Sequence, residues 1–327
     1  MSSLEFNASS ARNWSRLGPR AVYGLALLDL VERNPQVIVA SADLGNSSGL
    51  DRLKKAFPDR FIDPGIAEQN LIGLAGGIAK EGFTVFTSSF APFITMRSCE
   101  QMRLNMGYMQ LDIKAVGIGS GLSMNFLGNS HFGLEDIAVV RSIPNINIVS
   151  PADCGETIKI VDAISTSQVP TYLRLTGAPN MPTIYSSNYD FRLGKFDKLL
   201  AGDDLTIIGT GSMVHIALEV AEELSRVGFN CGVVNCHTIA PIDIDGLQKL
   251  ANSTRAILTL EEHFLSGGLG SIVLETLNEK RLNIPIKRVG ITNNFVKTGT
   301  YDFMLTKNQL DIRSVTSIAF EFIGELD

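Results

Sequence analysis

Short β-branched runs alternate with longer stretches of helical periodicity along most of the chain. Apolar runs at 37–42, 83–87, 113–118, 146–150 and 171–175 have strand length. Between them lie helical patterns at 21–33, 69–81, 92–106, 133–141 and 152–166. The alternation breaks around 178–192, where Gly177, Pro179, Asn180, Pro182 and Ser186-Ser187-Asn188 read as a connection. A second series then starts: strands at 205–209, 231–236 and 256–260, a helix at 213–226, and another after Gly267-Gly268-Leu269-Gly270. Strands alternating with helices predict parallel sheets covered on both faces. The expected fold class is α/β, with two consecutive α/β domains, each a mostly parallel sheet flanked by helices. Residues 1–15 are expected to be a tail, 16–180 the first domain, 181–195 a linker and 196–327 the second domain.

Composition narrows the function classes. The 327 residues suggest about two domains. The net charge of −6, with no Lys/Arg-rich run, argues against general nucleic-acid binding. Cys99, Cys154, Cys231 and Cys236 form no CxxC pair, and the chain has four histidines, so a zinc site is not expected. Scattered cysteines in a chain this long suit a reducing compartment. The first residues lack a signal-like apolar core, and no run approaches the ~20 apolar residues of a membrane span. The expectation is a soluble, cytoplasmic protein.

Candidate chemistry begins with Asp63-Pro64-Gly65-Ile66-Ala67-Glu68-Gln69-Asn70-Leu71, which leads into an apolar, glycine-rich helix. No Lys or Arg lies within five residues of Glu68. Gly73, Gly76 and Gly77 each cost about 1 kcal/mol of helix propensity, which makes sense if a backbone or ligand approaches closely. Glu68 near a helix N-terminus is either a solvated, dipole-favoured anion or a buried acid with a raised pKa. The segment resembles the glutamate motif in the pyrimidine-binding domain of thiamine-diphosphate enzymes of the transketolase family, and more narrowly the C-terminal subunit of split transketolases. The resemblance spans about residues 15–320. It implies a thiamine-diphosphate-binding fold followed by a transketolase C-terminal domain. It also implies that Glu68 hydrogen-bonds N1′ of the cofactor's aminopyrimidine and so favours the tautomer that deprotonates the thiazolium carbon. That role calls for a carboxyl shielded from water and free of a cationic partner.

Further stretches carry the same resemblance. In Ser88-Ser89-Phe90-Ala91-Pro92-Phe93-Ile94-Thr95-Met96-Arg97, it implies that Phe90 and Phe93 line the pyrimidine pocket, with Phe93 stacking on the ring. Met96 stands where many members carry tyrosine, and Ile66 is counted with the cofactor-binding residues. Arg97, Glu100, Gln101 and Arg103 resemble the split-subunit pattern and are expected at a subunit interface. In Gly119–Ile137, His131 is implied to face the substrate carbonyl, and Asn129 to lie beside it. Leu127 replaces the aspartate that contacts a donor hydroxyl, and Gly119 a phosphate-contacting histidine, so an altered donor or acceptor is expected. Arg174 either binds a substrate anion or makes a structural ion pair. Glu261-Glu262-His263-Phe264-Leu265-Ser266-Gly267-Gly268-Leu269-Gly270 resembles the C-terminal-domain signature, with His263 a substrate or subunit contact. Gly209-Thr210-Gly211-Ser212 lacks the third glycine of a dinucleotide turn and is read as structural.

No GDG, the mark of the family's diphosphate-binding domain, occurs in the chain. The resemblance therefore implies a partner subunit carrying that domain and Mg2+, with thiamine diphosphate shared between chains in an α2β2 heterotetramer and this chain inactive alone. The implied activity is transfer of a two-carbon ketol unit from a ketose, free or phosphorylated, to an aldehyde. The alternatives are the β subunit of a 2-oxo-acid dehydrogenase or decarboxylase, and a scaffold that has lost catalysis.

Overall fold

A computed structural model describes residues 4–326. The helices are α1 (Ala8–Leu17), α2 (Pro19–Arg33), α3 (Asp51–Ala56), α4 (Glu68–Lys80), α5 (Cys99–Met102), α6 (Asp136–Arg141), α7 (Cys154–Thr166), α8 (Met213–Arg226), α9 (Ile244–Ala251), α10 (Leu269–Glu279), α11 (Tyr301–Lys307) and α12 (Ile312–Gly324). The strands are β1 (Val37–Ser41), β2 (Phe61–Ile62), β3 (Thr84–Phe90), β4 (Ile113–Ile118), β5 (Asn147–Val149), β6 (Thr171–Arg174), β7 (Asp197–Leu200), β8 (Leu205–Gly209), β9 (Cys231–Asn235), β10 (Thr238–Ala240), β11 (Ile257–Phe264) and β12 (Ile286–Ile291).

Among the described residues the strands form two sheets, ordered β10-β5-β6-β4-β3-β1-β2 and β12-β11-β8-β9-β7. Pairing is parallel except at β10–β5 and β7–β9. The central strands of the first sheet are buried on both faces, as their unbroken apolar character requires. Along β4, Val116 and Ile118 join the core under α1, α2 and α7, while Ile113 and Ala115 join the core under α4 and α6. That alternation is the two-residue period of a strand. In the second sheet, Leu205, Ile207 and Leu258 pack with α8 and α12, and Ile208 and Ile257 with α9 and α10.

Four features depart from expectation. Residues 8–17 of the expected tail form α1, whose Asn7 cap accepts from Ser9 N and Ser10 N at 3.0 Å. Its signal is faint because only Ala11 and Trp14 are buried. The single helix expected at 92–106 is instead two π-helical turns, Phe93–Arg97 and Arg103–Tyr108, on either side of α5. Strands β2, β7, β10 and β12 and helices α3, α9, α11 and α12 were not expected; β7 alternates half-buried and exposed residues, so no apolar run marks it. The fourth is the route of β10, which leaves the second half of the chain to pair antiparallel with β5, Thr238 opposite Val149. Among the described residues no helix is long and apolar enough to cross a membrane.

Candidate functional site

The turn before α4 is built by Asp63. Its Oδ1 accepts from Asp43 N beyond β1 and from Gly65 N, both at 3.0 Å. Gly65 has φ +78°, the left-handed region that glycine enters without strain. This turn delivers Glu68 as the first residue of α4, its N–H end facing the carboxyl ends of β1 and β3. Such crevices beyond strand ends are where open parallel sheets bind ligands.

Glu68 is buried, 2% exposed. Ser89, near the end of β3, donates to Oε1 at 3.0 Å. Arg97 donates through Nη1 to Oε2 at 2.8 Å. The expectation of a carboxyl free of a cation is therefore corrected. The stretch around Glu68 lacks basic residues, but the first π-helical turn returns Arg97 to it from 29 positions downstream. Burial pushes the Glu68 carboxyl up. Bonds from Arg97, from its own backbone N–H and from Ser89 outweigh burial and hold it below its ordinary value. The raised pKa expected for the buried acid is not found.

Three aromatic rings meet beside this carboxylate. Phe90 and Phe93 pack edge-to-face at 5.9 Å between centroids, and the His131 ring contacts them at 5.3 and 5.0 Å. The Arg97 guanidinium lies 4.2 Å over Phe93. Glu68, Phe90, Phe93 and His131, read separately from the sequence, thus converge. Ser89 and Arg97 were not assigned to the site. The signal available for Arg97 was its place four residues after Phe93 on a helical stretch. Ile66 and Met96 are largely exposed at 77% and 44%, so neither is an enclosed pocket wall in this chain alone.

Two other candidates are corrected. Arg174 is fully buried; Nε donates to Asp136 Oδ2 at 2.8 Å, and Nη2 to Gly133 O and Glu262 O at 3.0 and 2.7 Å. It is a structural ion pair with no exposed donor face for a substrate anion. His263 is also fully buried, its Nδ1 at 2.7 Å from Phe264 O, and burial depresses its pKa to about 4. Asn129 bonds the Val296 backbone, donating to its O at 2.9 Å and accepting from its N at 3.0 Å, and stays exposed with a second amide N–H. The two departures in the loop also have places. A Cβ on Gly119 would come 2.1 Å from Met124 Sδ and would hold a left-handed φ of +68°, so a larger residue there must displace the Met124 side chain and strain the backbone. Leu127 is half exposed.

The rest of the Glu261-Glu262-His263 signature is architectural. Glu261 accepts from Leu269 N and Gly270 N at the start of α10, at 2.6 and 2.8 Å. Glu262 accepts from Leu122 N at 2.5 Å, from Tyr301 OH at 2.7 Å and from Ser212 Oγ. Among the described residues no three His, Cys, Asp or Glu side chains gather into a metal-holding group.

Comparison with known proteins bears on this geometry. Residues 17–178 match the family described as transketolase, pyrimidine binding domain, and residues 194–315 match transketolase, C-terminal domain. The chain is 35% identical to one of the subunits of the apulose-4-phosphate transketolase of Phocaeicola vulgatus, over 91% of this chain and 95% of that protein. It is likewise 35% identical to a 6-deoxy-6-sulfo-D-fructose transketolase subunit of Clostridium sp. (strain MSTE9), over 92% and 93%. Among solved structures it is similar to a split gene transketolase described as an inactive beta4 tetramer. There the TM-score is 0.85 and the identity 36%, over 94% of this chain and 98% of that one.

Proposed function

The chain belongs to the transketolase family, and on that premise we propose that it is the pyrimidine-binding subunit of a two-chain transketolase. The complex transfers a two-carbon ketol unit from a ketose to an aldehyde. In this reading residues 16–180 hold the pyrimidine end of thiamine diphosphate, 181–195 connect, and 196–327 complete the subunit. A separate subunit grips the diphosphate and Mg2+ in an α2β2 assembly in the cytoplasm. Relatives named as transketolase subunits and matched over nearly their whole length support this, and favour ketol transfer over decarboxylation.

The observation that carries the reading is a buried carboxylate beside an aromatic wall. The space between Glu68 Oε2 and the Phe93 face already takes a flat, hydrogen-bond-donating group, the Arg97 guanidinium. An aminopyrimidine ring has the same flatness, and its ring nitrogen N1′ meets Glu68 through a shared proton. When bound, thiamine diphosphate supplies the electron sink for cleaving a carbon–carbon bond beside a carbonyl. Glu68 holds and shares a proton at the ring nitrogen N1′. Ser89 fixes the other carboxylate oxygen, so the shared proton stays on one side. Phe93 supplies the stacking face, and Phe90 buttresses it edge-on. His131, half-buried against both rings with Nδ1 at 2.9 Å from Ser130 Oγ, is placed to exchange a proton with a substrate oxygen.

Glu68→Gln tests the mechanism in the complex reconstituted with the diphosphate-binding subunit. The expected result is a loss of about 10²–10⁴-fold in turnover, the range for removing a positioned proton-transfer group, with assembly by size-exclusion chromatography unchanged. Wild-type turnover in the variant would remove Glu68 from the chemistry.

A further inference from the structure

Arg97 makes two contacts with the groups of the candidate site. One edge of its guanidinium hydrogen-bonds Glu68 Oε2 at 2.8 Å, and one face covers Phe93 at 4.2 Å. These are the carboxylate and the ring that the proposed function assigns to the pyrimidine. Two planar groups cannot share one slot. The ionised Glu68, buried at 2% exposure, would be costly without a cationic or hydrogen-bonding partner on Oε2. Arg97 supplies it, yet its own side chain is 47% exposed, so it leaves toward solvent without opening the core. The backbone that carries it is held separately: Gln69 Nε2 donates to Arg97 O at 3.2 Å, and Arg97 ends the π-helical turn begun by Phe93. Such turns concentrate at functional sites.

Resting on the reading of Glu68 and Phe93 as the pyrimidine seat, we propose that Arg97 is a built-in stand-in for the cofactor, occupying that seat until thiamine diphosphate displaces it. The displacement has a chemical consequence. With the guanidinium gone, the strongest single bond holding the Glu68 carboxyl down goes with it; the bonds from its own N–H and from Ser89 stay, and so does the burial that pushes it up. Glu68 then passes from a plain ion-pair partner to a group able to share a proton with the incoming ring. Loading the cofactor and readying the acid are one event.

The test measures thiamine diphosphate binding, with Mg2+ present, to the reconstituted complex by calorimetry and stopped-flow. Wild type is compared with Arg97→Ala, Arg97→Lys and Glu68→Gln. Apparent affinity is the intrinsic affinity multiplied by the fraction of competent sites. Arg97→Ala is therefore expected to bind about tenfold more tightly, mainly through faster association. Lysine keeps the charge but cannot lie flat on Phe93, so Arg97→Lys should fall between the two. Weaker or unchanged binding in Arg97→Ala, with Glu68→Gln inactive, overturns the stand-in and leaves the pyrimidine seat intact. Full turnover by Glu68→Gln overturns the seat and the stand-in together.

Discussion

At the scale of single residues, the buried acids differ in what compensates them. Glu68 has a guanidinium and sits low. Glu156 has none: its oxygens take only Ala152 N at 2.6 Å and Asn235 Nδ2 and Tyr189 OH at 3.0 Å. Burial pushes its pKa from 4.5 to about 8, and that of Glu261 to about 7. A carboxyl raised on folding keeps the folded chain proton-rich. Its contribution to stability is whole below about 4.5 and is lost as pH rises through about 8. Wild type should therefore lose melting temperature between pH 5 and 9, and Glu156→Gln should lose less over that window. Equal slopes in calorimetric melts would show that Glu156 ionises without cost. The glutamate at the site was legible in the sequence because an acid stands alone in an apolar, glycine-rich stretch. Its partner was not, because Arg97 reaches it through folding rather than through nearness in the chain.

Within elements, the glycines of α4 show why composition overstates contact. Gly76 does face a neighbour: a Cβ there would meet Asn105 Oδ1 at 2.3 Å. Gly73 and Gly77 have nothing within 4 Å in the isolated chain. Gly24 in α2 is the tightest contrast, with a Cβ position 2.0 Å from Gly49 O, a backbone atom that cannot turn aside. Gly24→Ala should destabilise the isolated chain by roughly 1–3 kcal/mol through overpacking. Gly73→Ala should stabilise it by about 0.5–1 kcal/mol through helix propensity. Urea unfolding of the pair checks both signs. Strands with unbroken apolar runs, such as β4 and β8, could be read directly. The π-helical turns flanking α5 could not, since their residues are ordinary helix formers and the extra residue per turn is decided by packing.

Across the whole molecule, the halves are joined at many points, and two of these joints carry the most structure. One is β10, donated from the second half to the edge of the first sheet. The other is a buried polar hub: Asp136 binds Arg174 and accepts from Tyr172 OH at 2.7 Å, while Arg174 reaches the Glu262 carbonyl on β11. Removing one partner of a buried ion pair typically costs about 3–5 kcal/mol, because the other is left uncompensated. Arg174→Met should lower the denaturation midpoint accordingly and speed proteolysis within 181–195. Unaltered proteolysis with lowered stability would place the damage inside the first sheet instead.

The sequence by itself determined the α/β class and most central strands, and offered Glu68, Phe90, Phe93 and His131 as separate candidates through the family resemblance. Local periodicity carries the class and the strands within a few dozen positions, and the motif resemblance carries the candidates. Tertiary structure alone decided that Arg174 and His263 serve the framework, that β10 crosses to the first sheet, and that a guanidinium lies on Glu68. Each of those depends on groups far apart in the chain. Burial and pairing between such groups exist only once the backbone has closed around them.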